Sequence, residues 1–337
     1  MDRIEFAKLL NSITVVEGTP SGELDMLMKP IVEAIFQMMP NKLFRFRTFN
    51  KDTFDAFRSG MIYAVTADKF NDPYDTLPRY DIEEIKKGVS AIMSCKTLEW
   101  LKDWFEKGND FSEQFKQYFS DEMIEAFRTK ILSIENVKNY ESRVEECKRE
   151  IMSSIEIFFP VISETSKKFS TTACFCEEVQ NILMWSHYAG SHKGFALEYN
   201  FRPMLEKPIK NVGLFPVIYR EERLDVSSYI GWAYLQIMGL RTKNPDTFAS
   251  IKAILHKSSV WSYEKEWRLI DFSPREITDD RASAIPYEPV AIYYGQHMSK
   301  ENKLELHSIA QEKGIREYEM YVDYASPVYE MRWREKY

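Results

Sequence analysis

Apolar and polar side chains alternate in several short segments of the chain. In Leu43 to Phe49, Phe44 and Phe46 alternate with Arg45 and Arg47. Successive side chains of a strand point to opposite faces, so the two arginines are predicted to share one face. The same alternation predicts strands at 61–65, 169–176, 195–200, 214–219, 289–294 and 316–323, and an edge strand at 328–333.

Elsewhere apolar residues recur at three- and four-residue spacing, which is typical of helices. Residues 1–40 are predicted to be mostly helical, with Pro30 inside the run and Pro40 at its end. Further helices are predicted at 53–59, from 181 onward, at 227–256 and at 299–313. Gly60 and Gly314 follow two of these segments, where glycine commonly caps a helix.

Residues 82–168 differ from their surroundings, since charge is dense, glycine is scarce and the apolar spacing is helical throughout. This predicts three parts: an N-terminal helical segment (1–41), a core (42–81 with 169–337) and an inserted helical cap (82–168). The predicted fold class is α+β, with a mixed twisted sheet, flanking helices and the cap subdomain. The tail from 289 is predicted to form a β-α-β unit.

The stretch from Ser258 to Asp271 is predicted to be one continuous strand. One face would be mainly aromatic and apolar, with Trp261, Tyr263, Trp267 and Leu269. The other face would carry Glu264, Glu266 and Arg268. This second face is either a solvated outer surface or the lining of a cleft.

Composition narrows the class of protein. The 337 residues include 44% hydrophobic and 14% aromatic side chains, which indicates a folded globular chain. A net charge of −7 gives no bulk attraction to nucleic acid or anionic membrane. No apolar run is long enough to span a bilayer and no signal-peptide core follows Met1, so a cytoplasmic protein without membrane contact is expected. The composition is compatible with a dimer.

No metal site is predicted from the cysteines. Cys174 and Cys176 are the close pair, but one residue separates them where zinc sites usually have two or more. Reduced, buried thiols are the expectation for all four cysteines.

Two further stretches carry candidate polar groups. On a helix that starts near Asn181, Trp185 and Tyr188 share a stripe with it, whereas His187 falls off that stripe. These polar atoms need partners if they are buried. The loop Phe70-Asn-Asp-Pro-Tyr-Asp75 places Asn71 and Asp72 in a turn fixed by proline, which is equally typical of a structural turn and of a functional loop.

The chain resembles domain-of-unknown-function family 2971, a group of bacterial proteins. The segments that carry the resemblance are Leu43–Arg47, Gly60 through Asp75, Cys174-Phe-Cys176, Trp185 through Tyr199, Lys257, Trp261 through Ile270 and, more weakly, Ala291 through Gly295. They cover roughly residues 42–325. The resemblance implies no activity, and a role in bacterial defence or as a toxin-like effector is one setting that such a family suggests.

The order of these motifs is similar to that of ADP-ribosyltransferases, in which arginine, an aromatic or hydroxyl residue and Glu-x-Glu follow one another. This similarity implies an NAD-consuming transferase or glycohydrolase, with NAD as substrate and a protein or nucleic acid as a further candidate acceptor. Glu266 would be the key carboxylate and Glu264 its support. Arg45 and Arg47 would bind the pyrophosphate, and Tyr188, His187 and Trp185 would shape the nicotinamide pocket. Asn71, Asp72 and Arg268 would complete the nucleotide site.

Two alternatives stay open at this point. The first is a Mg²⁺-dependent hydrolase or nuclease that uses Asp72, Asp75, Glu264 and Glu266. The second is a non-catalytic sensor or interaction module, in which Arg45 and Arg47 pair with Glu264 and Glu266 as a buried ionic network.

Overall fold

The fold is α+β, as predicted: a large mixed sheet with flanking helices. The computed structural model describes residues 1–16, 18–111, 116, 120–135, 140–237, 246, 248–276 and 278–336. The helices of this described part are Arg3–Ser12, Ser21–Met38, Lys51–Ser59, Ile82–Ile92, Cys95–Glu106, Asp121–Leu132, Tyr140–Ser166, Ile182–Tyr188, Arg202–Glu206, Ser227–Ile237, Ala249–Ile254 and Lys300–Lys313. Among the described residues, none of the helices is both long and apolar enough to cross a membrane.

The strands are β1 (Leu43–Arg47), β2 (Met61–Ala64), β3 (Thr171–Cys176), β4 (Phe195–Tyr199), β5 (Val212–Pro216), β6 (Ile218–Arg220), β7 (His256–Ser258), β8 (Glu266–Asp271), β9 (Ser283–Pro286), β10 (Ala291–Tyr294), β11 (Arg316–Val322) and β12 (Met331–Glu335). Eight of them form one sheet in the order β12-β11-β10-β4-β1-β3-β8-β5. The strands β2 and β9 pair with each other, as do β6 and β7.

The C-terminal part follows the predicted β-α-β arrangement. Strands β10 and β11 are parallel neighbours, and the helix Lys300–Lys313 connects them. The strand β12 pairs antiparallel with β11 at the edge of the sheet, as expected for the last segment. Because the other pairings of the large sheet are antiparallel, the sheet is mixed.

Strand register decides which side chains share a face of the sheet. Phe44 lies opposite Cys176, and Cys176 lies opposite Glu266, so these three side chains point the same way. Side chains alternate along a strand, so Glu266 and Arg268 share this face, which we call the carboxylate face. Arg45, one residue after Phe44, points to the opposite side together with Arg47. We call that side the arginine face.

The helices between residues 82 and 166 have a hydrophobic core of their own, separate from those on the two faces of the sheet. Ile230 and Tyr234, from the helix Ser227–Ile237, pack into the same core. We call these helices together the helical layer. The chain enters this layer twice, at residues 82 and 227, and the two entering segments lie side by side, because the N–H of Arg79 donates to the carbonyl of Leu224 at 2.7 Å. The N–H of Val226 donates back to the carbonyl of Arg79 at 2.9 Å.

The predicted continuous strand from Ser258 to Asp271 is wrong in its first half. Ser259–Glu264 is a 3-10 helix, Lys265 adopts a left-handed conformation with φ of 46°, and β8 begins only at Glu266. The neighbours β3 and β5 explain this, because their pairing with β8 ends near Glu266. Among the described residues, no strand pairs with 259–265. The predicted helix at 227–256 also divides, and its residues 238–245 and 247 lie outside the described part.

The glycine cap at Gly314 allows a direct test of backbone conformation. Gly314 ends the helix Lys300–Lys313 with φ of +63°, and a Cβ added there would meet no atom within 4 Å. We expect Gly314→Ala to lower the free energy of unfolding by about 1–2 kcal/mol, because an L-residue is strained in this conformation. The measurement is urea unfolding followed by circular dichroism.

Gly88 is the matched control for this substitution. It lies inside the helix Ile82–Ile92, and an added Cβ there likewise meets no atom within 4 Å. Gly88→Ala should raise the free energy of unfolding by roughly 0.5–1 kcal/mol, because alanine favours the helix. Equal effects of the two substitutions would contradict the assigned conformations.

Candidate functional site

Lys257, in β7, lies at the centre of a group of buried charges. Its Nζ is 2.6 Å from Glu264 Oε2, 2.9 Å from Glu266 Oε2 and 3.4 Å from Asp75 Oδ2. All four side chains are buried. An ammonium group carries three protons, so these three carboxylates can occupy all of them.

Arg268 provides the second cation and is fully buried. Its Nε donates to Glu266 Oε1 at 2.8 Å, and one terminal nitrogen donates to Asp75 Oδ1 at 2.6 Å. The other terminal nitrogen donates to the carbonyl of Ile254. The guanidinium also lies 5.7 Å from the centre of the Phe70 ring. Arg268 therefore joins β8 to the loop that contains Asp75.

Asp75, Lys257, Glu264, Glu266 and Arg268 together form what we call the ionic cluster. Three carboxylates face two cations, so the cluster has a net charge of −1 when every group is ionised. Taking charges out of water is costly, and the cluster persists only because each member has partners of opposite sign.

The pKa values of the three carboxyl groups move in different directions. Burial raises the pKa of Glu264 and of Asp75, and the neighbouring Glu266 charge adds to this effect on both groups. Burial also opposes ionisation of Glu266, but Arg268 and Lys257 outweigh it and hold the pKa of Glu266 well below its usual range. Glu266 is therefore the firmly ionised carboxylate, and Glu264 and Asp75 are the members that accept a proton more readily.

Local backbone geometry brings the acidic side chains to Lys257. The left-handed residue Lys265 joins the 3-10 helix to β8, so Glu264 and Glu266 converge on Lys257 from two different elements. In the preceding loop, the N–H of Tyr74 donates to Asp72 Oδ1 at 2.9 Å and tightens the turn that ends at Asp75.

Thr76, directly after Asp75, is buried and has φ of 58°. Such a conformation is strained for a β-branched residue.

Of the residues predicted for a nucleotide site, Tyr188 and Asn71 lie at the ionic cluster. The Tyr188 hydroxyl donates to Glu264 Oε1 at 2.6 Å, and Asn71 is hydrogen-bonded to the Tyr188 hydroxyl. Burial, reinforced by the charge of Glu264, raises the pKa of Tyr188, so the phenol stays protonated. Both predicted carboxylates and Arg268 also lie here. Sequence analysis therefore located a large part of this group.

Other predicted residues lie elsewhere. Trp185 is fully buried, donates to the carbonyl of Val179 at 2.6 Å and packs edge-on against Phe46 at 5.0 Å. It is a core residue of the carboxylate face. His187 is exposed and packs beside Tyr188, without a contact to the carboxylates.

Arg45 and Arg47 are the largest departure from the prediction. They lie on the arginine face, and the sheet itself separates them from Glu266. Arg45 donates to the carbonyl of Tyr63 at 2.7 Å and lies 5.7 Å from the centre of the Phe175 ring. Neither the predicted phosphate site with Glu266 nor the alternative ionic network with these arginines matches this arrangement.

Lys257 and Asp75 are the site residues that sequence analysis did not select, although both belong to segments that carry the family resemblance. Asp75 was considered only as a metal ligand. Lys257 lies outside the alternating Glu-Lys-Glu pattern, and nothing in the residues next to it indicates that it contacts three carboxylates. Charge balance is the signal that could have identified Lys257, because two buried glutamates require buried cations, but it does not point to Asp75, which is itself a carboxylate.

A cavity of about 350 Å³ adjoins the ionic cluster, and Lys257 forms part of its wall. Its other lining residues include Asp72, Tyr74, Arg220, Arg223, His256 and Trp261. Lys257 Nζ lies 5.1 Å from the centre of the Trp261 ring. The cluster therefore borders a space of the size that small-molecule sites have.

The arrangement does not resemble a metal centre. Among the described residues, no group of three or more His, Cys, Asp or Glu side chains is placed to hold a metal ion. The cysteines there are free thiols, and burial raises the pKa of Cys174 and of Cys176. Cys174 is hydrogen-bonded to Glu266, which fits a structural thiol.

In comparisons with known proteins, one part of the chain matches a family model. Residues 184–269 match the model of a family described as protein of unknown function (DUF2971). The matched region contains Tyr188, Lys257 and both glutamates of the ionic cluster, whereas Asp75 precedes it. Comparisons with curated proteins and with solved structures found no match.

The pairing of Arg268 with Asp75 predicts a large and non-additive effect on stability. Arg268→Met should lower the free energy of unfolding by about 3–5 kcal/mol, because it leaves buried carboxylates without their cation. When Asp75→Asn is added, the combined loss should fall short of the sum of the single losses by about 0.5–3 kcal/mol. Urea unfolding of the four proteins measures this, and additive losses would contradict the shared ion pair.

The two glutamates should affect stability with opposite pH dependence. Because the folded pKa of Glu264 is raised, the stability it contributes is full below the ordinary value of 4.5 and is lost as the pH rises through the folded pKa. Glu264→Gln removes this loss, so the melting temperature of this variant should rise relative to that of the unmodified protein as the pH rises.

Glu266→Gln is the control for this titration. The folded pKa of Glu266 is lowered, so its contribution is present above 4.5 and is lost as the pH falls toward the folded pKa. The melting temperature of this variant should therefore fall relative to that of the unmodified protein as the pH rises. Thermal unfolding between about pH 3 and 8 compares the two trends. The same trend in both variants would show that the two pKa shifts are assigned wrongly.

Proposed function

We propose that this protein is an enzyme that binds a nucleotide, with NAD as the first candidate, and cleaves or transfers at its glycosidic bond. The observation that carries the proposal is a pair of buried glutamates, Glu264 and Glu266, which contact Lys257, and Lys257 itself lines a cavity. The cavity volume of about 350 Å³ is within the range of small-molecule sites.

The charge of the ionic cluster suits this chemistry. Cleavage of the bond between ribose and nicotinamide builds positive charge on the sugar, as in glycoside hydrolysis. When every carboxylate of the cluster is ionised, its net charge of −1 in a buried environment would stabilise positive charge on a neighbouring sugar more than water does. Water as the acceptor would release nicotinamide and ADP-ribose, and a protein or nucleic acid as the acceptor would instead receive the ADP-ribose group.

Within the pair, the geometry favours Glu264 as the reacting carboxylate. Both oxygens of Glu266 are held by cations, and Cys174 is hydrogen-bonded to the same carboxylate. Glu264 has one oxygen on Lys257 and the other on the neutral Tyr188 hydroxyl. We therefore assign Glu266 the task of positioning Lys257, which reverses the order expected from the sequence.

The phosphate-binding residues also differ from the sequence-based expectation. Arg45 and Arg47 are replaced in this proposal by Arg220 and Arg223, which line the cavity itself. Arginine binds phosphate oxygens through a fork of donors, and exposed arginines beside a cavity are suited to that role.

A non-catalytic ligand sensor is the second candidate. It is favoured by the completeness of the ionic cluster, in which the members satisfy one another without a bound ligand. Such a network also serves as a purely structural anchor. The sensor predicts ligand binding without turnover, whereas the enzyme predicts both.

The test is release of nicotinamide from NAD by the purified protein. Glu264→Gln should lower the rate by about 100- to 1000-fold, the effect typical of removing one preorganised electrostatic contact. Tyr188→Phe should lower it less, because the carboxylate remains. Absence of turnover in the unmodified protein would reject NAD cleavage.

Glu198→Gln is the matched control. Glu198 is also a buried glutamate on the carboxylate face that accepts a hydrogen bond from a tyrosine, Tyr293, at 2.7 Å. It pairs with Lys42 and Arg316, away from the ionic cluster. This variant should retain turnover. Equal losses in the two variants would show that general stability, and not the site, is being measured.

A further inference from the structure

Two buried polar atoms beside the cavity have no hydrogen-bond partner among the described residues. They are Asp72 Oδ2 and His256 Nε2. Asp72 is 8% exposed and His256 is 7% exposed, and both residues line the cavity. Buried polar atoms are usually paired, and leaving one unpaired costs about 1–3 kcal/mol. Both atoms belong to residues that line one cavity, so a molecule bound there would supply the missing partners.

Both atoms are hydrogen-bond acceptors. His256 Nδ1 lies 2.6 Å from the carbonyl of Lys252, which can only accept, so Nδ1 carries the proton and Nε2 has a free lone pair. Burial lowers the pKa of His256 to about 4, which keeps the ring neutral near pH 7. Asp72 uses Oδ1 to accept from the N–H of Tyr74, so Oδ2 is the open acceptor. A ligand that pairs with either atom must therefore offer an N–H or O–H group.

The rim of the cavity presents the opposite chemistry. Arg220 and Arg223 are exposed, and the described residues provide no ion pair for either. Arg223 lies 5.5 Å from the centre of the Tyr74 ring, which holds its guanidinium in place. Glu221 and Glu222, which separate the two arginines in sequence, also line the cavity. Carboxylates of this kind accept from sugar hydroxyls, whereas the arginines favour an anion.

The cavity also has aromatic walls. Tyr74 and Trp261 both line it, as does Lys257, whose Nζ donates to Glu264 and Glu266 and forms an ion pair with Asp75. Aromatic side chains bind planar rings through stacking or edge contacts.

From these observations we infer that the cavity is a recognition site for a phosphorylated ribonucleoside. Arg220 and Arg223 hold its phosphate, and Asp72 and His256 accept hydrogen bonds from its base or its ribose. The inference rests on the proposed function for its choice of cavity, but it concerns binding and does not require turnover. The adenine amino group, the nicotinamide carboxamide and the ribose hydroxyls all carry suitable protons, so the probes must distinguish these sources.

Isothermal titration calorimetry of the full chain with AMP, IMP, nicotinamide mononucleotide and ribose 5-phosphate tests the inference. We expect AMP or the nicotinamide nucleotide to bind more tightly than ribose 5-phosphate. IMP carries a carbonyl where AMP carries the amino group, so AMP stronger than IMP identifies the adenine amino group as the donor. Equal binding of the four compounds would reject recognition of the base, and binding of none would reject the site.

Variants at the rim test the phosphate position. Arg220→Ala and Arg223→Ala should each weaken the binding of the preferred nucleotide roughly tenfold to a hundredfold, as expected for a hydrogen bond to a charged group. Arg58→Ala is the matched control, because Arg58 is an exposed arginine that lies 4.8 Å from the centre of the Phe54 ring and away from the cavity. Unchanged affinity in both rim variants would overturn the phosphate assignment.

Variants of two buried residues test the assignment of the two acceptors. Asp72→Asn keeps an oxygen for the N–H of Tyr74 and turns the open acceptor into a donor. His256→Asn keeps a donor near the position of Nδ1 and removes the Nε2 acceptor, whereas His256→Gln retains an acceptor near Nε2. We expect Asp72→Asn and His256→Asn to weaken nucleotide binding at least tenfold and His256→Gln to weaken it less.

Thermal unfolding of each variant controls for loss of fold, and unchanged affinity in folded Asp72→Asn and His256→Asn would overturn the acceptor assignment. The two proposals fail in different ways. Nucleotide binding that depends on these residues without release of nicotinamide would reject NAD cleavage and leave the recognition site supported. Nicotinamide release that is indifferent to Arg220, Arg223, Asp72 and His256 would reject the recognition site alone.

Discussion

The contact of one buried ammonium group with three carboxylates holds together parts of the chain that are far apart in sequence. Lys257 comes from β7, Glu264 from the 3-10 helix, Glu266 from β8 and Asp75 from the loop after β2. None of these side chains could be buried alone, because the uncompensated charge would cost several kcal/mol. The elements must therefore form their contacts together. The strained conformations of Lys265 and Thr76 persist next to this cluster, at a cost of about 1–3 kcal/mol each.

Local patterns predicted the elements of the fold but not the relation between them. Alternation in Leu43–Arg47 correctly put the arginines and the phenylalanines on opposite faces of the strand, because the direction of successive side chains depends only on the strand itself. Whether Arg45 and Glu266 share a face depends on how β1, β3 and β8 are paired. The sequence of a single strand does not determine that register. The prediction that Arg45 and Glu266 line one cleft is wrong, because the strand register puts them on opposite faces of the sheet.

The error at Ser258 to Asp271 has a similar origin. Alternation continued through residues that lie beyond the ends of the neighbouring strands, so the pattern predicted pairing where no partner exists. Glu264 and Glu266 were nevertheless identified, because charged residues inside an aromatic stretch are conspicuous. Lys257 and Asp75 lack such surroundings, and their importance follows only from the ion pairs that they form in the folded chain.

The backbone hydrogen bonds between Arg79 and Leu224 link the helical layer to the cavity. The two segments that lead into the helical layer, near Leu77 and Arg223, are also walls of the cavity. A force on the helical layer is therefore transmitted to Asp72, Tyr74 and the arginine rim through only a few residues of chain. A displacement of these helices relative to the sheet would move the same residues that form the cavity wall, and would change the shape of the cavity.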